Sequence, residues 1–332
     1  MHAHPKPLAT NLSIYCDTRL GETAMRLLGE GVAPHKIVVP QRPVSSVLAK
    51  GEPDKALATA NVAFGQPDVS SVLASKRLRW VHLTSAGFTR YDTPEFRAAA
   101  ARRGLLVTNS SAVYARPCAE HVLAFMLAQA RQLPAALTTR CASGTPDWIR
   151  LRTESGSLRH QNVVILGFGA IARILVELLR PFEMEIVALR RKPRGDEGIP
   201  VITEEQLPQA LAKADHVIDI LPQNAESVRF ISAQRLGWMK PGATFYNIGR
   251  GATVDQDALA KALASGHLAG AWLDVTDPEP LRPEHPLLFT PNCFITPHTA
   301  GGHANEDESL VRHFLSNLRL FLADAPLRDR IM

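Results

Sequence analysis

Cysteine is scarce in this chain of 332 residues: Cys16, Cys118, Cys141 and Cys293 are all there are. None pairs as Cys-x-x-Cys and none has histidine at zinc-ligand spacing. A disulfide framework and a metal site are therefore not expected, and a reducing, cytoplasmic setting is. Long apolar runs are missing too. None approaches the roughly 18 residues that cross a bilayer, so no membrane helix is expected. Residues 1–7 are followed by no apolar core, which speaks against a signal peptide. His2 and His4 in that segment read as a solvated end, because two ligands do not make a metal site. Charge of one sign is barely in excess: 37 Lys and Arg face 32 Asp and Glu, a net +5. That balance suits a small anionic ligand better than nucleic acid. Arg102, Arg103, Arg190, Arg191 and Arg194 form no continuous stripe with interleaved aromatics. Tandem repeats and low-complexity tracts are also absent. What is present is ordinary globular composition, 45% hydrophobic, at a length that suggests two domains.

Short apolar runs alternate with helical stretches, and they do so twice. In the first half, strands are expected at 12–16, 36–39, 62–64, 79–83 and 105–108, with helices at 22–28 and 94–102. Residues 117–131 form a long helix that is apolar on most faces and must be buried between layers or against a second subunit. The polar stretch 140–156, with Gly and Pro, reads as a linker. The second alternation has strands at 162–166, 185–189, 216–221, 244–248, 269–275 and 294–296. Its helices are expected at 170–180, 204–213, 232–239 and 255–265. The amphipathic segment 304–322 follows the second sheet and is expected to return to the first domain. Strand–helix alternation of this kind predicts an α/β fold with parallel sheets.

One strand runs into a glycine-rich turn that opens a helix: Val163-Val164-Ile165-Leu166-Gly167-Phe168-Gly169-Ala170-Ile171-Ala172. In this G-x-G-x-x-A pattern Gly167 permits the tight turn and Gly169 admits a pyrophosphate close to the backbone. Ala172 lets helix and strand pack, and the helix N-terminus offers N–H groups to phosphate. An NAD site usually has an acid about 20 residues after the turn, to bind the ribose hydroxyls. Arg190, Arg191 and Lys192 stand there instead. A guanidinium binds a 2′-phosphate that a carboxylate would repel, so NADP(H) is the expected cofactor, with NAD(H) the alternative.

Three polar residues fall just past later strands: Arg250 in Asn247-Ile248-Gly249-Arg250-Gly251, Glu279 in Asp277-Pro278-Glu279-Pro280, and His298 in Thr296-Pro297-His298-Thr299. Each alone reads as a surface polar group. Together, at carboxyl strand ends where parallel sheets bind ligands, they suit reduction of a 2-keto acid. His298 is the proton donor, Glu279 beside it favours the imidazolium, and Arg250 binds the carboxylate and polarises the carbonyl.

With these motifs in place the chain resembles the D-isomer-specific 2-hydroxyacid dehydrogenase family, most closely in character its glyoxylate/hydroxypyruvate reductases. The resemblance runs over nearly the whole chain and is strongest from about 105 to 302. It implies a flavodoxin-like substrate domain from residues 1–115 and 300–332, and a Rossmann domain over 116–299. It also implies a homodimer formed with help from the helix near 117–131. The family's catalytic trio maps onto Arg250, Glu279 and His298. Ser85, Ala86 and Gly87 match its substrate loop, whose backbone N–H groups hold the carboxylate. Leu221, Pro222 and Ile248 then lie along the cofactor with the glycine-rich turn, and Asp274 meets the nicotinamide amide. Departures are Asn224 where Thr is usual, Thr276 where a bulky aromatic is frequent, and Asn109-Ser110-Ser111 for the common N-T-P. The resemblance leaves two other readings open, a dinucleotide-sensing corepressor and an NAD-dependent D-lactate or phosphoglycerate type of dehydrogenase. With about 30 residues after His298, a C-terminal regulatory domain of the kind on longer phosphoglycerate dehydrogenases is not expected.

Overall fold

Parallel strands are covered on both faces and so carry apolar residues at successive positions rather than alternate ones. Five such strands occur in the first part of the chain: β1 (Ser13–Cys16), β2 (Lys36–Val38), β3 (Val62–Gly65), β4 (Trp80–Leu83) and β5 (Leu106–Thr108). They pair in parallel in the order β2-β1-β3-β4-β5, which is the flavodoxin order. This computed structural model describes residues 11–332, so the expectation for His2 and His4 lies outside the described residues.

Helices α1 (Glu22–Val32), α2 (Val69–Ala74) and α3 (Pro94–Arg103) connect these strands. The ends of α3 are written in its sequence. Thr93 caps the Phe96 N–H, Pro94 opens the first turn, and Gly104 closes the helix with φ +62°. The short α2, capped by Asp68, escapes a reading based on periodicity because six residues carry too little of it. Residues 11–114 form one unit together with His303–Met332. Within it the C-terminal helix Glu306–Leu322 lays Phe314 against Phe64 (4.5 Å between centroids) and Trp80 (5.2 Å).

Helix α4 (Ser111–Ala130) carries the chain into the second unit, Ala115–Gly302. It starts earlier than expected and takes Pro117 into its interior. Next come α5 (Leu133–Thr138) and α6 (Pro146–Glu154). The second of these corrects the linker expected at 140–156. Thr145 accepts the Trp148 N–H, Pro146 opens the helix and Arg152 closes it, so the polar and proline residues that suggested a linker are helix-end signals.

The second sheet contains β6 (Asn162–Leu166), β7 (Glu185–Leu189), β8 (Val201–Ile202), β9 (His216–Asp219), β10 (Ala243–Asn247), β11 (Leu268–Leu273) and β12 (Cys293–Ile295). Helices α7 (Ala170–Leu179), α8 (Leu207–Leu211), α9 (Ala233–Trp238) and α10 (Gln256–Ala264) join them. The two-residue β8 was not expected, and the helix expected at 204–213 divides into a 3-10 turn, Glu204–Gln206, and α8. Pairing is parallel throughout in the order β12-β11-β10-β9-β6-β7-β8. The fold is thus α/β with two parallel sheets. In the second sheet the direction of winding reverses between β6 and β9, and doubly wound sheets bind ligands at such a reversal. Among the described residues no helix is long and apolar enough to cross a membrane.

Candidate active site

The loop after β6 is the glycine-rich turn. Gly167 has φ +95°, and a β-carbon there would sit 3.2 Å from the Ile220 carbonyl oxygen, so the turn needs glycine both for its conformation and for its contact with the segment after β9. Around Gly169, by contrast, the space a β-carbon would occupy is open to 4 Å. Helix α7 starts there with no side-chain cap, and Ala172, Leu175, Val176 and Leu179 bury its inner face. Uncapped N–H groups at a helix end beside open space fit a dinucleotide pyrophosphate.

At the end of β7 the basic turn holds a feature that periodicity does not reveal. Arg190 Nη1 donates to Glu197 Oε1 at 2.9 Å, and the two side chains are 16% and 3% exposed. Arg191 pairs with Glu226 at the surface, while Lys192 is exposed.

Asp219 ends β9 and is fully buried. Its Oδ1 accepts the Leu221 N–H at 3.0 Å, and its Oδ2 lies 2.6 Å from Thr253 Oγ1. Thr253 Oγ1 also lies 2.6 Å from the Arg250 carbonyl oxygen. The single hydroxyl proton serves one of these acceptors. Donation to the carbonyl leaves a protonated Asp219 to donate to Thr253, in keeping with burial pushing the Asp219 carboxyl up to about 7. Nearby, Ile248 is buried, Leu221 half-buried and Pro222 exposed. Asn224 Oδ1 accepts the N–H groups of Glu226 and Ser227, so the residue that departs from the usual Thr shapes this turn.

Arg250, Glu279 and His298 follow β10, β11 and β12, three adjacent strands of the seven-stranded sheet. Gly251 abuts the backbone of Thr276 so closely that a β-carbon there would lie 2.0 Å from its carbonyl carbon, which brings the Arg250 and Glu279 segments together. Arg250 Nη1 donates to the Gly249 carbonyl at 2.6 Å. Burial pulls its guanidinium below the ordinary arginine value, and the Glu279 carboxylate opposes that pull. Glu279 Oε1 lies 2.8 Å from His298 Nδ1, both side chains being part-exposed.

His298 has φ +53°, a left-handed conformation uncommon for a residue with a side chain. Asp274, at the end of β11, holds it there. The Asp274 backbone oxygen accepts the His298 N–H at 2.9 Å. Its Oδ1 accepts Thr296 Oγ1 at 2.7 Å and the Thr299 N–H at 2.8 Å, and its Oδ2 accepts the Ala300 N–H at 2.9 Å. His121 Nε2, on α4, lies 3.3 Å from the same Thr296 hydroxyl. Because that hydroxyl donates to Asp274, it accepts from His121.

Ser85, Ala86 and Gly87 follow β4 in the five-stranded unit. All three carbonyl oxygens are engaged: Ser85 by the Ser110 N–H (3.0 Å), Ala86 by Asn109 Nδ2 (2.6 Å) and Gly87 by Ser85 Oγ (2.6 Å). Gln66 Nε2 donates to Ser85 Oγ at 2.9 Å and Thr84 Oγ1 at 3.1 Å, and the Gln66 N–H donates to Asp17 Oδ1 at 2.7 Å. Asp17 is buried with Oδ2 unpaired among the described residues, and burial pushes its carboxyl up to about 7. Gln66 and Glu197 carry no motif; only their contacts expose them.

Residues 123–300 match the family described as D-isomer specific 2-hydroxyacid dehydrogenase, NAD binding domain. The chain belongs to this family. It is 32% identical over 260 residues to glyoxylate reductase/hydroxypyruvate reductase of Homo sapiens, covering 78% of each chain. Against the Mus musculus protein of the same name it is 33% identical over 227 residues, 68% of each. Among solved structures, the NADPH-dependent glyoxylate/hydroxypyruvate reductase of Sinorhizobium meliloti, in complex with NADP and malonate, matches with a TM-score of 0.72 at 26% identity over 96% of each chain. As a 2-hydroxyacid dehydrogenase, the chain has its NAD(P)-binding domain in the seven-stranded unit.

Proposed function

We propose that this dehydrogenase reduces short 2-keto acids, with glyoxylate and hydroxypyruvate as the leading substrates, to the D-2-hydroxy acids, and that it prefers NADPH to NADH. The observation that carries the reading is the 2.8 Å contact between His298 Nδ1 and Glu279 Oε1, with Arg250 beyond the adjoining strand. The bound cofactor supplies a hydride to C2 of the keto acid. His298 gives a proton from Nε2 to the carbonyl oxygen, and Glu279 holds the ring by Nδ1 and balances its charge. Arg250 pairs with the substrate carboxylate and stabilises the negative charge that grows on the carbonyl oxygen. In the five-stranded unit, Ala86 and Gly87 offer donors to a carboxylate. A trans peptide points its N–H away from the preceding C=O, and the carbonyls of Ser85 and Ala86 are turned to the protein.

Gly167, Phe168, Gly169, Ala170 and Ile171 are assigned to the pyrophosphate, with Leu221, Pro222 and Ile248 along the dinucleotide and Asp274 near the nicotinamide amide. Arg190, Arg191 and Lys192 are assigned to a 2′-phosphate. The name of the Sinorhizobium meliloti reductase supports that preference by analogy. A homodimer is part of the same reading, supported by Leu133, Leu137 and Ile149 exposed on α5 and α6, and light scattering at twice the chain mass tests it. A reducing, cytoplasmic setting is supported by four free cysteines. The test of function is a turnover assay with glyoxylate, hydroxypyruvate and pyruvate against both cofactors. Rapid NADPH consumption with the first two supports the reading, and tight cofactor binding without turnover favours a dinucleotide-sensing protein.

A further inference from the structure

The first residue past β7 is Arg190, and its guanidinium already has a carboxylate partner. Glu197 Oε1 accepts Arg190 Nη1 at 2.9 Å, and the Glu197 side chain is 3% exposed. The same carboxylate accepts the Arg194 N–H at 2.7 Å through Oε1 and the Gly195 N–H at 2.8 Å through Oε2. The turn from 190 to 197 is thus closed around one acid. Those backbone N–H groups, Arg194 first, hold Glu197 below the ordinary glutamate range, so it stays ionised at neutral pH.

We propose that Glu197 is a specificity-determining residue: by pairing with Arg190 it tempers the chain's preference for the 2′-phosphorylated cofactor. The inference rests on the reading that the basic turn meets the 2′ position of the adenosine ribose. A guanidinium has five N–H donors in a planar fork, and the bond to Glu197 leaves other donors for a ligand. What it does not leave is a net positive charge. A 2′-phosphate arriving at Arg190 meets an ion pair rather than a lone cation, and the Glu197 carboxylate of that pair repels the dianion. The neutral ribose diol of NADH feels neither effect strongly. Arg191 is also paired, with Glu226, but both partners are exposed and solvent screens them. Glu197, nearly sealed from solvent, is screened much less, so it is the acid that matters.

Calorimetric Kd values for NADPH and NADH, and kcat/KM with glyoxylate for each, test this on the full chain. Glu197→Gln keeps the shape and removes the charge, and the NADPH over NADH preference should rise about fivefold or more, through tighter NADPH binding. Arg190→Ala should lower the preference, and in that background Glu197→Gln should restore part of it, because the carboxylate left unpaired there repels the 2′-phosphate. If Glu197→Gln fails to fold, Glu197→Asp withdraws the acid by one methylene and should raise the preference about twofold or more. A preference that stays the same or falls in the folded Glu197 variant overturns the proposal. If Arg190→Ala leaves the preference untouched, the reading of the basic turn as a 2′-phosphate site fails, and the proposal with it. Because the Kd values need no turnover, a wrong substrate leaves the test intact.

Discussion

Glu279 Oε1 and His298 Nδ1 stand 2.8 Å apart, although 18 residues separate them in the chain and they follow different strands. The contact engages Nδ1, leaves Nε2 outside it, and sets a carboxylate beside the ring. Glu279→Gln removes the charge and keeps the shape. Without the neighbouring anion the ring loses both its brace and its counter-charge, and kcat for glyoxylate reduction should fall about tenfold or more while NADPH Kd holds. Steady-state kinetics beside an NADPH titration, for wild type and variant, check this, and an unchanged kcat would separate Glu279 from the proton transfer.

Arg250 presents a fork that one donor alone does not replace. With Nη1 spent on the Gly249 carbonyl, the guanidinium keeps its other N–H donors for a carboxylate. Lysine offers a point charge without the fork. Arg250→Lys should lower kcat/KM for glyoxylate about 100-fold or more, with NADPH Kd nearly unchanged. Steady-state kinetics beside a fluorescence titration of NADPH reads both.

Gln66 links the ends of β3 and β4 by donating to Thr84 and Ser85. Gln66→Leu leaves both hydroxyls without that donor and loosens the loop carrying Ala86 and Gly87. The KM for the keto acid should rise about tenfold while the KM for NADPH holds. A matched fall in both kinetic efficiencies would mean general damage instead.

Two buried groups of the seven-stranded unit oppose each other in acid. His216 is neutral, its nitrogens bonded to Tyr246 and Gln161, and burial lowers its pKa from 6.5 to about 4. The unfolded chain binds that proton first, so this group's contribution is lost as pH falls from about 6.5 to about 4, worth about 3 kcal/mol. For Asp219, with its pKa raised from 3.8 to about 7, the folded state keeps the proton longer. Its contribution is present below about 4 and is lost as pH rises toward 7. The two largely cancel in one window. Asp219→Asn, whose amide can donate to Thr253 as the protonated acid does, should leave the His216 term exposed, so stability rises more steeply with pH than in wild type. His216→Gln should tilt the curve the other way. Thermal melts from pH 4 to 7 decide the signs.

The repeating apolar strands made both sheets legible, because burial on two faces demands runs such as Val163–Leu166 and leaves little else for them to be. The glycine turn and the three polar residues past β10, β11 and β12 were legible because a tight turn and strand-end chemistry need particular residue types. The helix α6 was misread since Thr, Pro and Gly mark loops and helix starts alike. Glu197, Gln66 and the Asp274 clamp on the His298 loop were invisible for another reason. Each works through contacts between distant or irregular segments, and no spacing announces a hydrogen bond from Gln66 to Ser85 or a carboxylate closing around Arg190.

In the proposed reaction His298, braced by Glu279 and working with Arg250, protonates a 2-keto acid as it is reduced. Single-turnover reduction of glyoxylate by the NADPH-loaded enzyme, wild type beside His298→Ala, isolates that step. The variant should be about 100- to 10,000-fold slower, with NADPH Kd changed little. A variant that reduces glyoxylate as fast as wild type would contradict it, and so would a wild-type enzyme that binds NADPH yet reduces no keto acid.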